Sequence, residues 1–181
     1  NLGDILRNLG KLQEAEISIR KAIELKPDFA LAYSHLGIIL RDLGKLQEAE
    51  ISIRKAIELK PDFAVAHSNL GSILKVIGKT KEAEVATRKA LEINPDFAEA
   101  YTNLSDILFE LGRLNESKDY YQRAVELDPE DKIAWNNLAN VHYNQGHYAR
   151  SIEIYNKSLE LDDAYVIAIN NIGNALSHLY R

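Results

Sequence analysis

The four prolines of this 181-residue chain stand at Pro27, Pro61, Pro95 and Pro129, each 34 residues after the last. The stretch LGKLQEAEISIRKAIELKPDFA occurs twice without a change, at 9–30 and again at 43–64. A fixed period of this size marks a chain built from stacked copies of one supersecondary unit, and it constrains the fold more tightly than any local motif. A unit this short cannot bury its own apolar face, so each copy must bury it on the next. Because each unit meets only its neighbours, a perfect copy can be inserted without disturbing the rest. The copy therefore reports a late duplication and says little about function.

The unit at 30–63 contains two patterns of helical spacing. Ala32, Tyr33, Leu36, Leu40 and Leu43 follow one buried face, and Leu46, Ala49, Ile53, Ala56, Ile57 and Leu59 follow another. Gly44 between them is placed to end the first helix in a positive-φ conformation. Pro61 ends the second, since the residue before proline disfavours the α region. Asp62 is the expected N-cap of the next helix. Columns run down the chain at the same period: a leucine column at Leu2, Leu36, Leu70, Leu104 and Leu138, and hinge glycines at Gly10, Gly44, Gly78, Gly112 and Gly146. Small residues recur on the second helix at Ala15, Ala49, Ala83, Ser117 and Ser151. Small side chains at matched places let antiparallel helices approach closely while large apolar residues fill the space between successive pairs. The register predicts five helix pairs, a final single helix, and no strand.

This pattern resembles the tetratricopeptide repeat, a helix-turn-helix unit with an aromatic, Leu-Gly, Ala, aromatic, Ala and Pro signature. The fifth unit matches best, with Trp135, Leu138, Gly146, Tyr148 and Tyr155 at the signature places. Units one and two depart by carrying Ile19 and Ile53 where units four and five have Tyr121 and Tyr155, and Asp163 stands where earlier units have proline. The resemblance implies an all-α, right-handed superhelical solenoid of antiparallel helix pairs. Its parts are a partial repeat at 1–29, repeats at 30–63, 64–97, 98–131 and 132–165, and a single terminal helix at 166–181.

Composition places the chain among folded domains, with 46% hydrophobic and 27% charged residues. The formal net charge of −5 argues against nucleic acid as a partner, which calls for a basic footprint. No apolar run approaches a membrane span, so no membrane partner is expected. Without cysteine there is neither a disulfide framework nor a thiolate metal site, and a reducing cytoplasmic compartment is the expected one. The chain opens at Asn1 inside a repeat and lacks methionine, which marks it as an expected excerpt of a longer protein. Chemistry is absent from the pattern. The histidines form no ligand or nucleophile set, His67 takes the packing place of Tyr33, Tyr101 and Trp135, and the carboxylates are dispersed by the repeat. No catalytic, cofactor-binding or metal-binding residues are assigned, and no cofactor is expected. The pairs Glu16–Arg20, Glu50–Arg54 and Glu84–Arg88 are spaced four apart with the acid first, as on a solvated outer face.

What remains is a surface. In the family that the chain resembles, the first helix of each pair lines a concave groove for an extended peptide. One groove column carried over from that resemblance is Asn1, His35, Asn69, Asn103, Asn137 and Asn171. An amide donates and accepts, so a column of amides can pair with a peptide backbone of any sequence. The column is similar to the asparagine ladder of the O-GlcNAc transferase superhelix; asparagine before Leu-Gly is also common across the family and is tolerated there. A second column reads Arg7, Arg41, Lys75, Phe109 and Tyr143, basic at first and then aromatic, with Asn140 and Asn174 enriching the C-terminal half in amides. Asp4, Asp42, Asp106, Glu99 and Glu110 interleave with it and are placed to absorb part of the charge. The dicarboxylate clamp of chaperone-binding relatives requires cations where this chain has Leu31, Val65, Ser34 and Ser68, so an acidic chaperone tail is not the expected ligand.

Two functions follow from the resemblance. One is a non-catalytic scaffold binding a partner protein or extended peptide in its groove. The other is the substrate-recruiting arm of a larger enzyme such as an O-GlcNAc-transferase-like glycosyltransferase. Apolar residues at both ends, Leu2, Ile5, Leu6 and Leu9 and then Ile169, Ile172, Leu176 and Leu179, lead to an expectation of end-to-end self-association.

Overall fold

Two apolar stripes of helical period interrupted by one glycine fold back on each other, and they do so throughout the computed structural model, which describes residues 11–180. Ten helices and no strand are present among those residues: α1 (Leu12–Leu25), α2 (Ala30–Asp42), α3 (Leu46–Leu59), α4 (Ala64–Ile77), α5 (Thr80–Ile93), α6 (Ala98–Glu110), α7 (Leu114–Leu127), α8 (Lys132–Asn144), α9 (Tyr148–Leu161) and α10 (Val166–Leu179). The even-numbered helices through α8 pair with the helix that follows, and α10 packs on α9. The expected all-α helical-repeat fold is the one observed. Leu2, Gly3, Ile5, Leu6, Leu9 and Gly10 lie outside the described residues.

The turn within each pair is set by glycine. Gly44, Gly78, Gly112 and Gly146 all have positive φ, between 73° and 87°, and no non-glycine residue described does. At the second of them the Gly78 amide bonds the Lys75 carbonyl and the Lys79 amide reaches back to the Leu74 carbonyl, both at 2.9 Å. This is the Schellman closure of a helix, and it satisfies carbonyls that would otherwise be left open. The same long bond recurs from Lys45 to Leu40, Arg113 to Leu108 and His147 to His142.

The turn between pairs corrects one expectation. Asp62 is not the N-cap of α4; Phe63 is, and no side chain caps it. In Pro-Asp-Phe the aspartate falls one residue early, and the ring at the cap place instead lies under a lysine, Lys26 over Phe29 and Lys60 over Phe63. Only where the sequence reads Pro-Glu-Asp does an acid reach the cap. The Asp131 carboxylate accepts from the Ile133 and Ala134 amides at 2.9 and 3.0 Å. Asp163 replaces proline without altering the turn, since the Asp162 amide still bonds Ser158 and the Tyr165 amide still bonds Asp162.

The chain divides into two compact units, Asn1–Pro95 and Asp96–Arg181. In the first, Ala49, Ala56, Ala83 and Ala90 have no exposed surface, and Ile39, Leu40, Ile53, Ile73 and Leu74 are buried between the helices. The small column lets backbones close in: a Cβ built on Gly71 would lie 2.0 Å from the Thr87 hydroxyl oxygen. In the second unit the core gathers Tyr121, Val125, Leu138, Val141, Ile154 and Tyr155, with Phe109, Trp135 and Ile172 packed against it.

Candidate functional site

Each unit presents its own part of the two first-helix columns, and Asn1 and Arg7 lie outside the described residues. In the first unit His35 is half-buried on α2 and Asn69 is buried on α4. The Asn69 amide donates to the Ser34 hydroxyl at 3.3 Å, joining one repeat to the next. Arg41 turns two of its nitrogens onto the Asp42 carboxylate, at 3.1 and 2.9 Å, and a third onto the Ser72 hydroxyl at 3.2 Å. Its charge is thus largely matched, as the interleaved acids led us to expect. Lys75 is half-buried on α4.

In the second unit the amides form a chain. The Asn137 amide donates to the Asp106 carboxylate at 3.4 Å, while its carbonyl oxygen accepts from Asn136 and Asn140 at 3.3 and 3.5 Å. Asn171 donates to Asn136 at 3.1 Å and to Asn140 at 3.2 Å. Two tyrosine hydroxyls tie the chain down from the second helices: Tyr121 donates to Asp106, and Tyr155 donates to the Asn140 oxygen at 2.6 Å. Burial, reinforced by the Asp106 charge, pushes the Tyr121 phenol far above its ordinary range, and burial pushes Tyr155 up to about 12, so both hydroxyls keep the proton they donate.

The two nodes, Asp106·Tyr121·Asn137 and Asn140·Tyr155·Asn171, repeat at the 34-residue period. Repeats with Ile19 and Ile53 in place of the tyrosine have no hydroxyl to offer. Sequence reasoning named the asparagines and noted the tyrosines but missed their union. The available signal was an Asp or Asn fifteen residues before each tyrosine.

The remaining predicted residues have mixed surroundings. Phe109 packs against the core of its unit. Tyr143 meets Tyr148 edge-on with ring centroids 5.4 Å apart and His178 at 5.7 Å, and Tyr148 stacks on His178. Asn174 is exposed on α10, and Asn103 is half-buried on α6.

On the second helices the expected Glu–Arg pairs form and also bridge repeats. Glu16 takes Arg20 at 2.9 Å and Lys45 at 2.8 Å, and Glu50 takes Arg54 and Lys79. The Lys45 hydrogen bond, with Arg20, holds the Glu16 carboxyl below its ordinary value despite burial. His142 occupies the place of Leu40, Leu74 and Leu108, and its Nδ1 is buried without a hydrogen-bond partner. Among the described residues no group of three His, Cys, Asp or Glu is gathered as for a metal ion, and no helix is long and apolar enough to cross a membrane.

A comparison with curated proteins gives no match. Solved structures do resemble the chain. TTC0263, a thermophilic protein of Thermus thermophilus, has a TM-score of 0.84 at 18% identity, covering 97% of this chain and 95% of that one. MamA residues 41 to the end from Desulfovibrio magneticus RS-1 gives 0.74 at 23% identity, covering 91% and 93%. YrrB, described as having an unusual peptide-binding site, gives 0.70 at 26% identity, covering 90% and 84%. The tetratricopeptide repeat family model matches residues 1–64 and 104–165, with further repeat models over 64–97 and 86–119. The helix pairs, the glycine turns and these matches agree, and the chain belongs to the tetratricopeptide repeat family.

Proposed function

We propose that the chain is a protein-interaction scaffold that holds an extended segment of a partner protein along its first helices. The observation that carries this is the amide chain of the second unit. Side chains that hold one another in place lose little freedom on meeting a ligand, which lowers the entropic cost of binding. With both N–H groups of Asn171 engaged on Asn136 and Asn140, its carbonyl oxygen is left as an acceptor for a peptide N–H. Phe109 on α6 and Tyr143 on α8 add aromatic surface to the first helices of the same unit. The peptide-binding site described for YrrB supports the same class of ligand.

The asparagine column also supports a second reading, the substrate-recruiting arm of an O-GlcNAc-transferase-like enzyme whose chemistry lies outside these residues. In either case the groove recognises backbone.

The 181-residue chain also has an apolar face suited to association with its own copies, because α10 leaves Ile169, Leu176 and Leu179 between 37% and 47% exposed. Sedimentation should show concentration-dependent dimers that Ile169→Glu with Leu176→Glu abolishes; a strict monomer at high concentration would refute this.

The groove is tested by selecting binders from a random dodecapeptide library and titrating them against Asn137→Ala with Asn171→Ala. Two lost hydrogen bonds should cost about 1–3 kcal/mol of affinity across unrelated peptides. Unchanged affinity in a folded variant would place the partner elsewhere.

A further inference from the structure

A groove of about 760 Å³ opens in the first unit between α3 and α5, over the side of α4. Leu70 and Leu74 form its floor, and Ile57, Val85 and Ala86 its walls. It exists because two residues are small at once. In the fourth repeat Tyr101 and Tyr120 occupy the corresponding places with rings 5.9 Å apart, and in the fifth Trp135 packs on the core that includes Ile154. Here the same places hold His67 and Ala86. His67 reproduces only the polar part of the aromatic residue. Its Nε2 lies 2.9 Å from the Pro61 carbonyl, as Trp135 Nε1 lies 2.9 Å from the Pro129 carbonyl. A carbonyl only accepts, so Nε2 carries the proton.

The helices have little room to close the gap, because the small residues Ala49, Ala56, Ala83 and Ala90 are already fully buried along them. An apolar hollow is poorly suited to water.

We infer that this groove on the second helices is a binding site for a partner peptide that inserts one large aromatic side chain beside a carboxylate. The aromatic class follows from the repeat itself, which fills the equivalent place with its own rings. The carboxylate follows from the rim. Arg54 faces Glu82 at 3.5 Å, Lys89 pairs with Glu92 at 2.8 Å and Lys55 with Glu58 at 2.6 Å. Lys81, exposed on the rim, has no ion-pair or hydrogen-bond partner among the described residues.

The surrounding surface continues the apolar track. Ile17, Ile51 and Val85 share one register position on α1, α3 and α5 and are 69%, 69% and 71% exposed, whereas the second unit has Asp119 and Glu153 there. α1 and α3 are copies, so Val85 is the informative member: α5 differs from α3 at half its positions and still holds an aliphatic residue there. Isolated exposed aliphatics need no explanation, but a row leading into a groove does.

The test uses the intact chain with methyl and amide NMR, and as probe the acetylated, amidated pentapeptide Gly-Trp-Asp-Glu-Gly. Saturable shifts should appear at Ile57, Leu70, Leu74 and Val85. Replacing the probe's tryptophan by alanine should weaken binding by roughly tenfold or more. Lys81→Glu should weaken it about threefold at low salt and less at high salt. His67→Tyr with Ala86→Tyr, which restores the rings of the fourth repeat, should abolish binding with the melting temperature unchanged or raised. Ala86→Leu serves as a milder filling variant should the double variant misfold. Asn137→Ala with Asn171→Ala should bind the probe as the parent does, which separates this site from the first-helix groove. No saturable shift at these methyls, shifts confined to the first helices, or undiminished binding by the filled variants would overturn the assignment.

Discussion

His142 shows how one residue can stand against its column. The repeat places leucine there at Leu40, Leu74, Leu108 and Leu176, and the histidine leaves a buried Nδ1 without a partner. Burial, helped by the nearby His147, Arg150 and Lys118, holds its protonation below the ordinary histidine range. The folded chain therefore keeps His142 neutral at pH values where the unfolded chain binds a proton, so this residue lowers stability as pH falls below about 6.5. His142→Leu should raise stability by about 1–3 kcal/mol, the cost of an unsatisfied buried group, and flatten that decline. Thermal melts at about pH 7.5 and about pH 5.5, on either side of the ordinary histidine value, check both effects; an equal melting shift at the two values would separate the residue from the acid response. The leucine column was legible in the sequence. The unpaired nitrogen was not, because it depends on what surrounds that atom in three dimensions.

At the scale of helices, the sequence columns describe contact partners as well as periodicity. Gly71 and Thr87 form one such pair, since the built Cβ meets the threonine hydroxyl at 2.0 Å while that hydroxyl bonds the Ala83 carbonyl at 2.9 Å. Gly71→Ala must push α4 and α5 apart or displace a buried, short side chain, and overpacking of this kind costs about 1–3 kcal/mol. Thr87→Ala should remove the nearest obstruction, leaving the Ala83 carbonyl at 3.1 Å and the residue-87 Cβ at 3.2 Å, so the double variant should melt above the single Gly71→Ala variant; additive losses would mean the two residues do not share the contact. Helix existence, the glycine turns and the proline stops were all readable from spacing and φ preference. The Asp62 cap was not, because a capping assignment turns on one residue of register, and Phe63 took the place.

For the whole molecule, the 34-residue period made the fold class readable, since every repeat poses the same packing problem and admits the same solution. The candidate sites were less legible. Asparagines could be placed on one column, but their bonds to Asp106 and Tyr155, with Tyr121 donating to the same Asp106, join several helices. The groove between α3 and α5 depends on two small residues that are far apart in sequence. The central claim is that the linked amides of the second unit receive a peptide backbone, and the side-chain amide resonances of Asn137, Asn140 and Asn171 report on it directly. On titration with a peptide selected from the dodecapeptide library, those NH2 signals should shift together and saturate with the same Kd as the bulk titration, while the methyls of Ile57 and Val85 stay still. Saturable binding that leaves the three amide signals unmoved would contradict the account.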